Sequence, residues 1–129
     1  MERPLDTDTM AWFGRIPGRV TIGGALPGEV RVAGEVRRLT FVPDGGDGEL
    51  IAELCDGTGE LRVHLPRRYT AAWVPGAVLA VDGTLTQGSP VEPRRLQAVA
   101  FAPVDVGVSE QLEWVGVTSA GRPAALVNV

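Results

Sequence analysis

The sequence predicts an all-β domain of five strands closed into a small barrel, with a short helix between the third and fourth. Three observations predict it. Gly (17) and Pro (10) punctuate the 129 residues at short intervals. Between them lie short runs rich in β-branched residues, Glu29–Val42, Glu49–Cys55, Glu60–Leu65, Ala77–Thr86 and Arg95–Ala102, and runs bounded in this way read as strands of a sandwich or barrel. No stretch holds a 3.6-residue apolar period for long, so the helix candidates, Arg67–Trp73 and Ser109–Val115, are each only about two turns. Finally, the first run is longer than an ordinary strand and changes phase partway.

In that first run Val30, Val32 and Val36 share one phase, whereas Leu39 and Phe41 share the other. Gly34 and the Arg37-Arg38 step are the natural places for a bulge or bend, and one long bent strand serving both halves of a barrel accounts for the break. The second and third runs form a hairpin about Asp56-Gly57-Thr58-Gly59. Antiparallel pairing of Leu54 with Leu61, Ala52 with Val63 and Leu50 with Leu65 places all six apolar side chains on one face. The other face then pairs Glu53 with Arg62, Ile51 with His64 and Cys55 with Glu60. A slip of one residue would turn the apolar set outward. Tyr69 and Trp73 share a face of the first helix candidate and are expected to plug the open end of the barrel. The chain divides into an N-terminal segment 1–28, partly flexible, a barrel 29–102 and a C-terminal extension 103–129.

Charge limits the function. Twelve basic against 16 acidic side chains leave a net charge of −4, which argues against coating a nucleic acid or an anionic membrane by bulk charge. Every basic residue is Arg, and six of the 12 fall in the pairs Arg37-Arg38, Arg67-Arg68 and Arg94-Arg95. A polyanion site would have to use these clusters. A single Cys forms no internal disulfide, the first nine residues do not read as a signal peptide, and no apolar run approaches a membrane span. The expectation is a soluble, cytoplasmic domain with no membrane association.

The order β-β-β-α-β-β, carried by Val32 and Gly34-Glu35-Val36, by Leu54-Cys55-Asp56-Gly57-Thr58-Gly59 with Leu61 and Val63, and by Pro75-Gly76 and Val81-Asp82-Gly83, resembles OB-fold modules of the tRNA-anticodon type. Such modules occur in aminoacyl-tRNA synthetases, replicative DNA polymerases, RecG-type helicases and small stand-alone bacterial proteins. The resemblance covers about 29–102. It implies a five-stranded Greek-key barrel that binds single-stranded DNA or RNA over its second and third strands, between the loops Pro43–Gly48 and Gln87–Pro93.

On that face the outward set is Glu49, Ile51, Glu53, Glu60, Arg62 and His64, without an aromatic platform. The candidate nucleic-acid contacts are Arg37, Arg38, Arg62, Arg94 and Arg95, with Phe41 as the best stacking candidate, although a Phe at a strand end is more often part of the core. Arg67-Arg68 read as solvated charges at the helix start, and the acidic loop Asp44–Glu49 as a polar hairpin loop. No metal site, cofactor or catalytic constellation is expected, because His64 and Cys55 are the sole His and Cys and do not face each other. The function expected is an accessory to a larger DNA- or RNA-processing complex. The alternative is a protein-interaction or assembly module, with Trp12, Phe13 and Trp114 either docking a partner or second copy or covering the chain's own core. Thr118–Val129 adds an edge strand, pairs with a partner sheet, or frays.

Overall fold

The computed structural model describes residues 7–43, 48–88, 94–104 and 112–117. The acidic residues of loop 44–47, loop residues 89–93, the first part of the Ser109–Val115 helix candidate and the stretch Thr118–Val129 lie outside them. The elements are a helix α1 (Thr7–Phe13), strands β1 (Gly28–Val42), β2 (Glu49–Cys55) and β3 (Glu60–Pro66), a 3-10 helix (Arg67–Ala72), then β4 (Val78–Thr86), β5 (Arg95–Pro103) and β6 (Val115–Gly116). Neighbours run β3-β2-β1-β4-β5-β6, and a parallel pairing of β3 with β5 closes the first five strands into a barrel.

β1 is the hinge of this closure. It pairs with β4 through Gly28–Glu35 and with β2 through Glu35–Val42. The register shifts between Val36 and Arg38, so Arg37 is the extra residue of a bulge, and the change of phase in the sequence marks this point. At Gly34 the crossing is close: a Cβ there would lie 2.7 Å from the Cys55 carbonyl oxygen. The β2–β3 register is the one that parity requires, from Leu50 opposite Leu65 to Cys55 opposite Glu60. Its apolar partners are fully or almost fully buried with Val32, Val36, Leu79, Val81 and Leu96. Trp73 and Tyr69 both meet the ring of Phe101 edge-on, at 5.5 and 5.6 Å between centroids, and so close one end of the core.

The β2–β3 turn also organises the N-terminal segment. Gly57 takes the positive φ (89°) the turn needs, while Asp56, 2 % exposed, accepts from the Thr58 amide and hydroxyl through Oδ1. Its Oδ2 accepts from the Ile22 amide at 2.9 Å and from Arg19 at 3.3 Å. The Thr58 hydroxyl oxygen in turn accepts from the Gly23 amide. This turn therefore holds residues 19–23 against the barrel.

Helix α1 has no counterpart among the helices expected from periodicity, being too short to show one. It exists because the barrel gives it a seat. Ala33, Ala80 and Ala102 lie side by side across β1, β4 and β5 and are all fully buried. Trp12, Phe13 and Ile16 pack there with Ala33, Ala80 and Val104 in a second core, with Leu112 and Trp114 against it. Trp12 is 6 % and Phe13 0 % exposed. Of the two roles open to these aromatics, covering the chain's own sheet is the one they perform, and docking through Trp12 and Phe13 is corrected accordingly. Residues 112–114 are not helical, which also corrects the second helix candidate over the part described.

Trp114 stacks over the Arg31 guanidinium at 4.5 Å. Arg31 makes two hydrogen bonds to Asp82 (2.6 and 2.9 Å) and donates to the Pro17 carbonyl. The hydrogen bonding to Asp82 raises its pKa above the ordinary value. One side chain thus joins the N-terminal segment, β1, β4 and the strap 112–117.

Candidate nucleic-acid interface

The outer faces of β2 and β3 carry the expected alternation except at one position: Glu49, Ile51 and Glu53 are half-buried and Glu60 and Arg62 exposed, whereas His64, expected to face outward, is buried. Three consecutive pairings, Arg38 with Glu53, Glu53 with Arg62 and Arg62 with Arg95, place four charged residues in one row across β1, β2, β3 and β5. At the usual strand spacing the row is roughly 14 Å long. Its single carboxylate leans toward Arg38, 3.8 Å away. Among the described residues Arg62 has no carboxylate within ion-pair distance, although Glu53 stands opposite it. Among the same residues Arg95 makes a single side-chain hydrogen bond, a long one of 3.4 Å to Gln97.

Arg62 and Arg95 are neighbours across the parallel β3–β5 pair. Like charges in that position repel, and an anion laid across them would relieve the repulsion. Sequence spacing cannot show this, because the two residues come together only through barrel closure.

The other sequence-selected residues are placed differently. Arg37, the bulge residue, turns to Glu35 at 3.0 Å, and both side chains are about nine-tenths buried. Arg94 donates to the carbonyls of Ala25 and Ile22 at 3.1 and 3.0 Å, so it clamps the N-terminal segment. Arg94→Ala should therefore lower the urea midpoint, by about 1–2 kcal/mol in stability, because two buried carbonyls lose their donor.

Phe41 stands at the mouth of the barrel, at the end of β1, 46 % exposed. The Arg67 guanidinium lies over its ring at 5.0 Å, and the Arg67 amide donates to the Gly48 carbonyl. Arg67, in sequence a solvated charge at a helix start, thus belongs to the rim. No sequence signal links it to Phe41; the fold brings the start of the 3-10 helix beneath the end of β1.

His64 is 8 % exposed, with Nδ1 3.1 Å from a Glu49 carboxylate oxygen. Among the described residues no group of three or more His, Cys, Asp or Glu converges as a metal ion would need, and no helix is long and apolar enough to cross a membrane. A groove of about 290 Å³ opens on the arginine face between Glu53, Glu60, Leu61, Arg62 and Arg94. A second hollow, of about 490 Å³, lies on the opposite wall beside Val20, Val30 and Val99, where Arg31 and Asp82 already satisfy each other.

Comparison of the whole barrel with solved structures identifies its architecture. It is an OB fold. An OBody (AM3L15) bound to hen egg-white lysozyme matches with a TM-score of 0.53 at 20% identity, over 69% of this chain and 96% of its own. The asparaginyl-tRNA synthetase of Entamoeba histolytica matches with a TM-score of 0.53 at 13% identity, over 85% of this chain and 25% of its own. Likeness at these identities establishes the OB fold alone. No protein-family model matches the sequence, and no curated protein is similar to it. In OB terms the arginine row crosses the outer face of β2 and β3, beside the rim that carries Phe41.

Proposed function

We propose that this OB domain binds single-stranded nucleic acid across the row Arg38, Arg62 and Arg95, with the Phe41–Arg67 stack as a platform at the rim. The observation that carries the reading is the juxtaposition of Arg62 and Arg95, neither of which has a carboxylate within ion-pair distance among the described residues. Planar guanidinium groups suit phosphate oxygens, and aromatic faces accept bases of any sequence. The face is small and the chain acidic, so binding is weak alone and the domain serves as an accessory to a larger DNA- or RNA-processing assembly in the cytoplasm. It acts by binding rather than by catalysis. The barrel's likeness to part of a tRNA synthetase is consistent with an anticodon-type module.

The test is fluorescence anisotropy of a labelled single strand of about 20 nucleotides at about 50 and 200 mM salt. Three phosphate contacts give a slope of log K on log salt near −2, a loss of roughly 20-fold between the two conditions. Phe41→Ala should weaken binding by about 1–3 kcal/mol with little change in that slope, since it removes stacking and not charge. No binding at micromolar protein and the lower salt would overturn the reading.

A second reading, a protein-interaction module, is favoured by the mixed charge of the same face and by the OBody of like fold, which is bound to lysozyme. With Trp12 and Phe13 buried, this reading places the partner on the β2–β3 face. Light scattering of the protein after a negative anisotropy result checks it for a second copy of the chain.

A further inference from the structure

We propose that the groove beside Arg62 makes the site selective for guanine and disfavours thymine and uracil. This inference rests on the single-strand reading above and adds a base preference to it. The groove brings two carboxylates to Arg62 on one face, Glu53 directly across the β2–β3 ladder and Glu60 two residues before it on β3. Glu60 is exposed and, among the described residues, has no hydrogen-bond or ion-pair partner. Glu53 keeps its accepting capacity, because its contact with Arg38, at 3.8 Å, is longer than a hydrogen bond. Ionised carboxylates only accept hydrogen bonds, so an incoming base must bring donors.

The bases differ in this respect. Guanine presents N1–H and N2–H side by side, the geometry that one carboxylate accepts with both oxygens. Cytosine and adenine each offer one amino group beside a ring-nitrogen acceptor. Thymine and uracil flank their lone N3–H with two carbonyl oxygens, whose lone pairs face the carboxylate and repel it. Arg62, which lines the groove beside Glu60, holds the neighbouring phosphate, which brings the base edge to Glu60. A face that carried arginines alone would tolerate all bases alike, as backbone contacts do. The carboxylates, which weaken attraction for any polyanion, supply the discrimination.

Anisotropy titrations of the whole chain at about 50 mM salt compare three labelled 15-mers: all-thymine, five repeats of TTG, and five repeats of TTI, in which inosine lacks the guanine N2 amino group. The TTG strand is expected to bind about tenfold more tightly than all-thymine, with the inosine strand between them. Glu60→Gln is expected to bring TTG and all-thymine within about twofold of each other, chiefly by strengthening all-thymine. Glu53→Gln gives a smaller change in the same direction. Equal affinity for TTG and all-thymine, or a preference that survives both substitutions, overturns the base selectivity while the single-strand reading stands. Failure of all three strands to bind overturns both.

Discussion

Replacing Arg62 and Arg95 together by Ala is expected to weaken single-strand binding on the order of 100-fold at about 50 mM salt, since each charge-assisted contact contributes about 1.5 kcal/mol. The slope of log K on log salt should fall by about 1.4, which is two phosphates at roughly 0.7 each. The wild-type loss between about 50 and 200 mM salt, roughly 20-fold, would then shrink to about threefold. The same double substitution removes a like-charge neighbour pair from an exposed face, so stability should hold or rise slightly. Weakened binding in a fold at least as stable separates a lost contact from a lost structure. Unchanged affinity and slope would mean that this row does not meet the phosphates.

Asp56→Ala should be the most destabilising single change, by roughly 3 kcal/mol, out of the 5–15 kcal/mol typical of a domain. Asp56 is 2 % exposed and accepts from the Thr58 amide and hydroxyl, the Ile22 amide and Arg19. Alanine leaves the Ile22 amide and the Arg19 guanidinium without that acceptor and removes the side-chain bond that shapes the β2–β3 turn. Asp56→Asn keeps an oxygen for Thr58 but presents an amide NH2, a donor, where Oδ2 accepted, so it should lie between wild type and the alanine variant. Urea unfolding followed by tryptophan fluorescence gives the order directly. An alanine variant within about 0.5 kcal/mol of the wild type would show that the N-terminal segment does not depend on this latch.

The strands, the hairpin register and the bend in β1 were legible in the residues for one reason. A strand buried on one face has a period of two, so each apolar side chain declares its side, and Leu50, Ala52 and Leu54 could meet Leu65, Val63 and Leu61 in one way only. The change from the Val36 phase to the Leu39 phase likewise announced a bulge, which falls at Arg37. Tyr69 and Trp73 were legible as a plug because a short polar-and-aromatic turn at that place has a barrel end to fill.

The arrangement of charge was not legible, because it depends on contacts across long stretches of chain. The Arg62–Arg95 pair is created by the parallel closure of β3 on β5, and no local pattern encodes which register that closure takes. Arg37 and Arg94 resemble Arg38 and Arg95 in sequence, one residue away in each case. Yet the first pair turns inward to Glu35 and to the carbonyls of residues 22 and 25, while the second stays in water. Helix α1 has the same explanation: seven residues cannot hold a helix in isolation, and the seat formed by Ala33, Ala80 and Ala102 exists only once three strands lie side by side. Periodicity, a local property, thus sets the elements and their faces. Which of the described arginines on the barrel meets solvent is settled by the non-local pairing that closes it.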